Sequence, residues 1–211
     1  ETRGLDDIPA ALADPGRLAA IRAALARPQA PRGTTHVSVV DRAGMAAGLS
    51  LSNGEGCGLV LDGIGIMPNN MLGEADLVPE PGDFRADTRL ATMMAPSIVS
   101  WPDGRMAVLG SGGSTRIPGA ITQVLAGLAD RGQRLEDAIA APRLHVNDSQ
   151  LDFEDRFTAE DREALMAAWP EACAWQHASM YFGGVHGAAR DARGGSEAAA
   201  DPRREGTALT G

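Results

Sequence analysis

The sequence predicts an α+β fold of mainly antiparallel sheet with helices set apart from the strands. Two hairpin patterns, at 35–51 and 94–109, precede the main helical patterns. Those helices are too few to cover two sheets, so a layered fold with segregated helices is expected.

Taken in order, Asp14 to Arg27 places Leu18, Ile21, Ala24 and Leu25 at helical spacing. Asp14 is a capping residue, and Pro15 stands at the first helical position, where its missing N–H is no loss. Pro28-Gln29-Ala30-Pro31-Arg32-Gly33 forbids continuation and reads as an exposed linker, a place where a chain is cut without disturbing a core. Thr35–Val40 alternates as a strand, Asp41–Gly44 turns, and Met45–Leu51 pairs back. Glycine-rich Asn53–Gly58 leads into Leu59–Leu61 and then Gly63–Met67; Asn69–Asp76 and Pro79–Gly82 read as loops. Met94–Ser100 and Met106–Leu109 flank Trp101-Pro102-Asp103-Gly104 as a second hairpin. Gly110–Arg116 opens a helix over 117–131, with Ile121, Val124, Leu125 and Leu128 on one face. A shorter helix, Leu135–Ala141, is closed by Pro142. Strands near Leu144 and Leu151, a helix over Ala159–Ala168 and a last strand around Tyr181–Val185 complete the pattern. The tail, Gly187–Gly211, reads as low in complexity and mobile at its end.

The totals bound what the chain can do. At 211 residues it holds one domain, with at most an appendage, and its 4% aromatic content leaves the core to Ala, Leu, Val, Ile and Met. The 19 basic residues are all arginine and face 28 acidic ones; a net charge of -9 argues against a nucleic-acid partner. Cys57 and Cys173 are too few and too distant for a disulfide framework or a zinc site and read as small hydrophobes. Clusters with metal-ligand spacing are missing, so neither metal nor cofactor is expected. No apolar run approaches the ~18 residues of a spanning helix. The chain opens on Glu1 without a signal-peptide pattern, and the expectation is that it begins inside a longer one.

Chemistry concentrates at Arg32–Asp41. If the Gly33–Thr34 bond breaks, Thr34 gains a free amine, which is one way to activate a threonine hydroxyl as a nucleophile. An arbitrary Gly-Thr pair is otherwise a strand residue after a turn. Thr35 points to the opposite face by the two-residue period. His36 shares the face of Thr34 but sits too far along the strand to act as its base, so it reads as structural. His145, His177 and His186 accompany no Gly-x-Ser-x-Gly elbow. Gly112-Gly113-Ser114, before a helix, can present backbone amides to a developing oxyanion. A phosphate loop is the rival, but its lysine is absent from the whole chain.

Seven motifs then occur in a telling order: Thr34-Thr35-His36-x-Ser38-Val39-Val40-Asp41, Ser50-Leu51-Ser52-Asn53-Gly54, Gly65-Ile66-Met67-Pro68-Asn69-Asn70-Met71, Met94-Ala95-Pro96, Gly110-Ser111-Gly112-Gly113-Ser114-Thr115-Arg116-Ile117, Ala141-Pro142-Arg143 and Asp201-Pro202-Arg203. Together they resemble the γ-glutamyltransferases (γ-glutamyltranspeptidases). Residues 1–33 resemble the end of that family's large subunit and 34–211 its small, catalytic subunit. The resemblance implies an N-terminal-nucleophile hydrolase whose αββα sandwich is partial here, the remainder coming from a large subunit of the same precursor.

It further implies autocleavage between Gly33 and Thr34, then attack by Thr34 on a γ-glutamyl amide such as glutathione. The acyl group passes to water, an amino acid or a peptide. Ser52 matches a hydroxyl that bonds the nucleophile, and Asn53 suits the zwitterionic end of a glutamyl group. Glu74, or the nearby Asp76, falls where a carboxylate holds the donor's α-amino group. Thr92 and Met93 stand where two serines usually bind its α-carboxylate, and Met71 where many members carry Gln or Glu. These departures keep two alternatives open: an uncleaved, silent relative serving as a binding or assembly subunit, or an amidase for another acyl group, cephalosporin-acylase-like. Location follows from the missing N-terminus: periplasmic or secreted if it carries a signal peptide, otherwise cytoplasmic.

Overall fold

The computed structural model describes residues 15–16, 33–78 and 86–211. The helix expected over Asp14–Arg27 therefore lies outside the described residues except for the helical pair Pro15 and Gly16, and the loop at Pro79–Gly82 lies wholly outside them. The chain divides into two compact units, residues 1–32 with 53–71 and residues 33–52 with 72–211.

In the first unit, 53–71 is a string of turns tied by backbone bonds. Gly56 N donates to Asn53 O (2.9 Å), Cys57 N to Pro68 O (3.0 Å) and Leu61 N to Ile66 O (2.9 Å). Asn70 Oδ1 accepts from Glu55 N at 2.8 Å.

The second unit holds three sheets. Strands β1 (Thr34–Val40) and β2 (Ala46–Ser52) form an antiparallel hairpin in which Thr34 faces Ser52 and His36 faces Ser50. Its turn is set by Asp41, whose side chain accepts from Met45 N at 2.8 Å. The second sheet joins β3 (Ser97–Ser100), β4 (Met106–Gly112), β8 (Gly184–Arg190) and β9 (Ser196–Ala199) in that order, antiparallel throughout. The third pairs β5 (Leu144–Asn147) with β6 (Gln150–Glu154) antiparallel, and β6 with β7 (Cys173–Trp175) parallel.

Three helices are described: α1 (Arg116–Ala129), α2 (Leu135–Ala140) and α3 (Ala159–Ala168). The first two bury Ile117, Ile121, Val124, Leu135 and Ile139 with Leu109 of β4 and Val185 of β8, covering one face of the four-stranded sheet. The β1–β2 hairpin lies on its other face, where the His36 ring packs against Gly110 and Ser38 Oγ donates to His186 O (3.3 Å). The order is thus hairpin, sheet, helices. The hairpin turns its polar, small side chains inward, while Val37, Val39, Leu49 and Leu51 are each about half exposed on its outer face.

Several expectations are corrected. Gly110–Gly112 is not a loop opening a helix but the end of β4, because glycine is what lets a second backbone approach this closely. The strand expected around Tyr181–Val185 begins later: Met180–Phe182 is a single 3₁₀ turn and β8 runs from Gly184 to Arg190. Strands β7 and β9, and the parallel pairing of β6 with β7, were not expected.

The tail, read as low in complexity, is built into the fold as far as Arg204. Gly187 to Arg190 and Ser196 to Ala199 are strand, and Asp201 and Arg203 are buried. The cysteines, read as small hydrophobes, are exposed free thiols, Cys57 and Cys173 alike.

The tail is held by charge as well as sheet. Asp201 and Glu154 are fully buried, Arg143 and Arg203 nearly so. Arg143 Nη2 meets Asp201 Oδ2 at 2.6 Å; Arg203 meets Glu154 Oε2 at 2.5 Å and Asp201 Oδ1 at 3.2 Å. Burial pulls the Arg143 guanidinium below its ordinary pKa, against the pull of Asp201. The Ala-Pro-Arg and Asp-Pro-Arg motifs, far apart in the chain, meet here.

Candidate active site

Thr34 is the first residue of β1, and its Oγ1 donates to Ser52 Oγ at 3.1 Å. The hairpin register makes this pairing, since both residues point inward at the open end of the same two strands. Before it, Gly33 is exposed with φ 136°, a conformation that favours glycine.

Gly112 closes one side of Thr34. A Cβ on Gly112 would stand 2.7 Å from the Thr34 carbonyl oxygen. The chain then turns into α1 through Gly113 (φ 138°), Ser114 (φ 54°) and Thr115. Arg116 N and Ile117 N bond back to Gly113 O (3.2 Å) and Ser114 O (3.0 Å). Among the described residues no acceptor takes the backbone N–H of Gly113, Ser114 or Thr115. These donors belong to the turn that leads into α1 and to its N-cap, and they lie one to three residues beyond the glycine packed on Thr34.

Of the two acidic candidates, Asp76 reaches this turn: Ser114 Oγ stands 3.5 Å from Asp76 Oδ2. Glu74 uses its backbone carbonyl to accept from Leu77 N and Val78 N, at 3.0 and 2.9 Å. Asn53 follows Ser52 in the chain but belongs to the other compact unit, where its carbonyl accepts from Gly56 N and Asn70 N. Thr92 and Met93 lie before β3, Thr92 exposed and Met93 half-buried, and no hydrogen bond joins either to Thr34 among the described residues.

His36 is buried between the sheets. Its ring nitrogens stand 2.8 Å from Ser50 Oγ and 2.8 Å from Ser38 Oγ. Burial, with a smaller push from His186, lowers its pKa from 6.5 to about 4. It stays neutral near pH 7 with both nitrogens engaged, and so it supports the site rather than serving as a base.

Two residues near Thr34 escaped sequence reasoning. Arg204 runs its stem along Gly184, where a Cβ would meet its Cγ and Cδ at 2.5 Å, and its Nη1 lies 3.0 Å from the Cβ position of Gly112. Burial, then the nearby Arg116, lowers its pKa against the pull of Asp201. Among the described residues Arg204 Nε has no hydrogen-bond partner. Ser111, fully buried, donates to Gly112 O (3.1 Å) and accepts from Gly184 N (3.2 Å). Ser111 lies inside a motif the sequence displays, whereas nothing local marks Arg204. No described group of three His, Cys, Asp or Glu is placed to hold a metal ion, and no described helix is long and apolar enough to cross a membrane.

Comparison with known proteins gives a consistent picture. The family model described as gamma-glutamyltranspeptidase matches residues 10–211. The chain is 31% identical over 127 residues to a glutathione hydrolase proenzyme of Arthroderma benhamiae, covering 54% of this chain and 22% of that one. It is 31% identical over 140 residues to the acylase ACY 1 proenzyme of Pseudomonas sp. strain SE83, covering 64% and 25%. The chain thus spans about a quarter of the length of these curated relatives. Among solved structures, a gamma-glutamyltranspeptidase from Pseudomonas nitroreducens complexed with L-DON superposes with a TM-score of 0.69 at 26% identity, covering 83% of this chain and 98% of that one. The architecture is that of the N-terminal-nucleophile hydrolases.

Proposed function

The chain belongs to the γ-glutamyltranspeptidase family, and from that premise we propose that it carries the catalytic part of an acyltransferase that takes γ-glutamyl groups from glutathione-like amides. The carrying observation is the convergence on Thr34 of the Ser52 hydroxyl at 3.1 Å and of the glycine that opens into unpaired backbone donors.

Maturation comes first. The Thr34 hydroxyl attacks the Gly33 carbonyl, the acyl group moves from nitrogen to oxygen, and water hydrolyses the ester, leaving Gly33 a carboxylate and Thr34 a free amine. In turnover that amine accepts the proton of Oγ1 as the oxygen attacks the substrate's amide carbon. Ser52 holds Oγ1 in line. The N–H groups of Gly113 and Ser114 take the oxyanion, each such donor being worth about 3 kcal/mol in the transition state. The amine returns its proton to the leaving nitrogen, and a γ-glutamyl ester remains on Thr34. Water, an amino acid or a peptide then reverses the sequence.

Asp76, with Glu74 beside it in the loop, offers the countercharge for the donor's ammonium. Thr92 and Met93 would line the same substrate. The half-buried Arg204 cation adds positive potential where negative charge develops. Relatives named as proenzymes support a large-subunit partner from the same precursor.

Mass spectrometry of the purified full-length product tests the reading. Two fragments, the smaller beginning at Thr34, with release of 4-nitroaniline from γ-glutamyl-4-nitroanilide, are expected; one intact, inactive species would instead favour a silent binding or assembly subunit. A second enzymatic reading rests on Met93, which brings no hydroxyl for an α-carboxylate, and on the acylase relative. An amidase of that kind would turn over a glutaryl anilide faster than the γ-glutamyl one.

A further inference from the structure

We infer that Ser111 is a positioning residue that aims the Gly113 N–H at the reacting oxygen from behind the sheet. This rests on the reading of Thr34 as the nucleophile. Side chains alternate along β4, so Gly110 and Gly112 face the hairpin, where they meet His36 and Thr34, while Ser111 faces the opposite layer with Leu109. Ser111 therefore cannot touch a substrate bound at Thr34. It is also fully buried, so its hydroxyl must be satisfied inside the protein.

Both of its bonds go to backbone at the last rung of the β4–β8 ladder, where Gly112 faces Gly184. The hydroxyl accepts from Gly184 N–H at 3.2 Å and donates to Gly112 C=O at 3.1 Å, linking the two strands where the ladder ends. The second bond is the informative one. Gly112 C=O and Gly113 N–H belong to one planar trans peptide and point in opposite directions. Fixing the carbonyl fixes the amide.

The backbone on both sides of this contact is glycine. Gly113 has φ 138° and Gly183 φ 77°, so neither has the stiffness of an ordinary residue. Their contact is close: a Cβ on Gly113 would lie 2.8 Å from Gly183 Cα, and one on Gly183 would lie 3.1 Å from both Gly112 O and Ser111 Oγ. Two flexible glycines are thus packed around one hydroxyl that supplies the direction.

The test uses the mature enzyme prepared from the full-length precursor, with rates expressed per free Thr34 N-terminus counted by mass spectrometry. Ser111→Ala is expected to lower kcat on γ-glutamyl-4-nitroanilide by about 10- to 100-fold, a misaimed donor costing somewhat less than a deleted one, with KM within about twofold. A boronic acid analogue of the γ-glutamyl group, which forms a tetrahedral adduct on a nucleophilic oxygen, should lose affinity by the same factor. Free glutamate, a ground-state competitor, should not. Ser111→Thr, which keeps the hydroxyl, should recover most of the loss.

Equal boronate affinity in wild type and Ser111→Ala, or a parallel loss for boronate and glutamate, would overturn the inference. If Ala blocks maturation, Ser111→Cys takes its place, with intermediate boronate affinity expected and wild-type affinity overturning the role. A wild-type enzyme that neither turns over the anilide nor binds boronate would instead sink the Thr34 reading itself.

Discussion

Thr34 and His36 share one face of one strand, yet their neighbours give them opposite tasks. Thr34 meets a serine and the edge of a donor-bearing turn, so Thr34→Ala should abolish both self-cleavage and anilide hydrolysis, checked by subunit masses and 4-nitroaniline release. Any turnover in that variant would remove Thr34 from the chemistry. His36 sits between two serines, and its pKa of about 4 lies below the 6.5 of an unfolded chain. Between those values the unfolded state takes up a proton that the folded state refuses, so the contribution is whole above pH 6.5 and falls away as the pH drops toward 4. His186 and His145, also lowered chiefly by burial, act in the same direction. His36→Gln should therefore show a shallower loss of urea stability from pH 7 to 4.5 than the wild type; identical slopes would exonerate His36. The β1–β2 hairpin was legible because a tight turn and strict alternation mark it, and alternation put His36 on the face of Thr34; Ser52 entered only through the family resemblance. Arg204 and the link from Ser111 to Gly184 N–H were not legible, because these contacts join strands and turns distant in sequence.

The glycines of β4 show why element boundaries were harder to read than elements. A run such as Gly110-Ser111-Gly112-Gly113 has the composition of a loop, and only its neighbours reveal a strand pressed against another sheet. The same holds for β9, whose Ser196–Ala199 carries little strand propensity and forms by pairing with β8. Helix α1 was readable because its apolar periodicity is local, and α3 carries a cap in which Thr158 Oγ1 accepts from Asp161 N at 3.1 Å. The packing yields a paired prediction. Gly112→Ala places a methyl 2.7 Å from a backbone oxygen that has no rotamer to escape by; it should cost about 1–3 kcal/mol and lose nearly all activity. Gly119→Ala, on α1 with nothing within 4 Å of the new methyl, should gain about 0.5–1 kcal/mol and leave turnover unchanged. Thermal melts and anilide kinetics on both variants check the contrast, and a stable, active Gly112→Ala would show that β4 does not press on Thr34.

The whole molecule combines an interior tied down more firmly than its composition implied with one sheet face left uncovered. Inside, Arg143, Glu154, Asp201 and Arg203 form a buried network in which Asp201 is shared by both arginines and is the ion-pair partner of Arg143, so that its removal strands a buried guanidinium. Asp201→Ala should cost about 3–5 kcal/mol, read by urea denaturation, and a loss below 1 kcal/mol would mean that the tail is held by β8–β9 alone. Outside, the hairpin bearing Thr34 shows Val37, Val39, Leu49 and Leu51 to solvent, each 48–56% exposed. Covering four half-exposed side chains of this size is worth on the order of 4 kcal/mol, a large share of a domain's net stability. A hairpin with polar residues inward and apolar residues outward is arranged for a further layer, and on the proposed proenzyme reading that layer comes from the large subunit. Residues 34–211 expressed alone should therefore associate, and co-expression with the complete preceding segment should give a discrete two-chain complex by size-exclusion chromatography with light scattering. Replacing Val37, Leu49 and Leu51 together by Thr should make the lone piece less prone to associate while weakening its hold on the preceding segment. If the wild-type piece is monomeric and melts cooperatively by itself, the outer face needs no cover and the catalytic strand is stable without a second subunit.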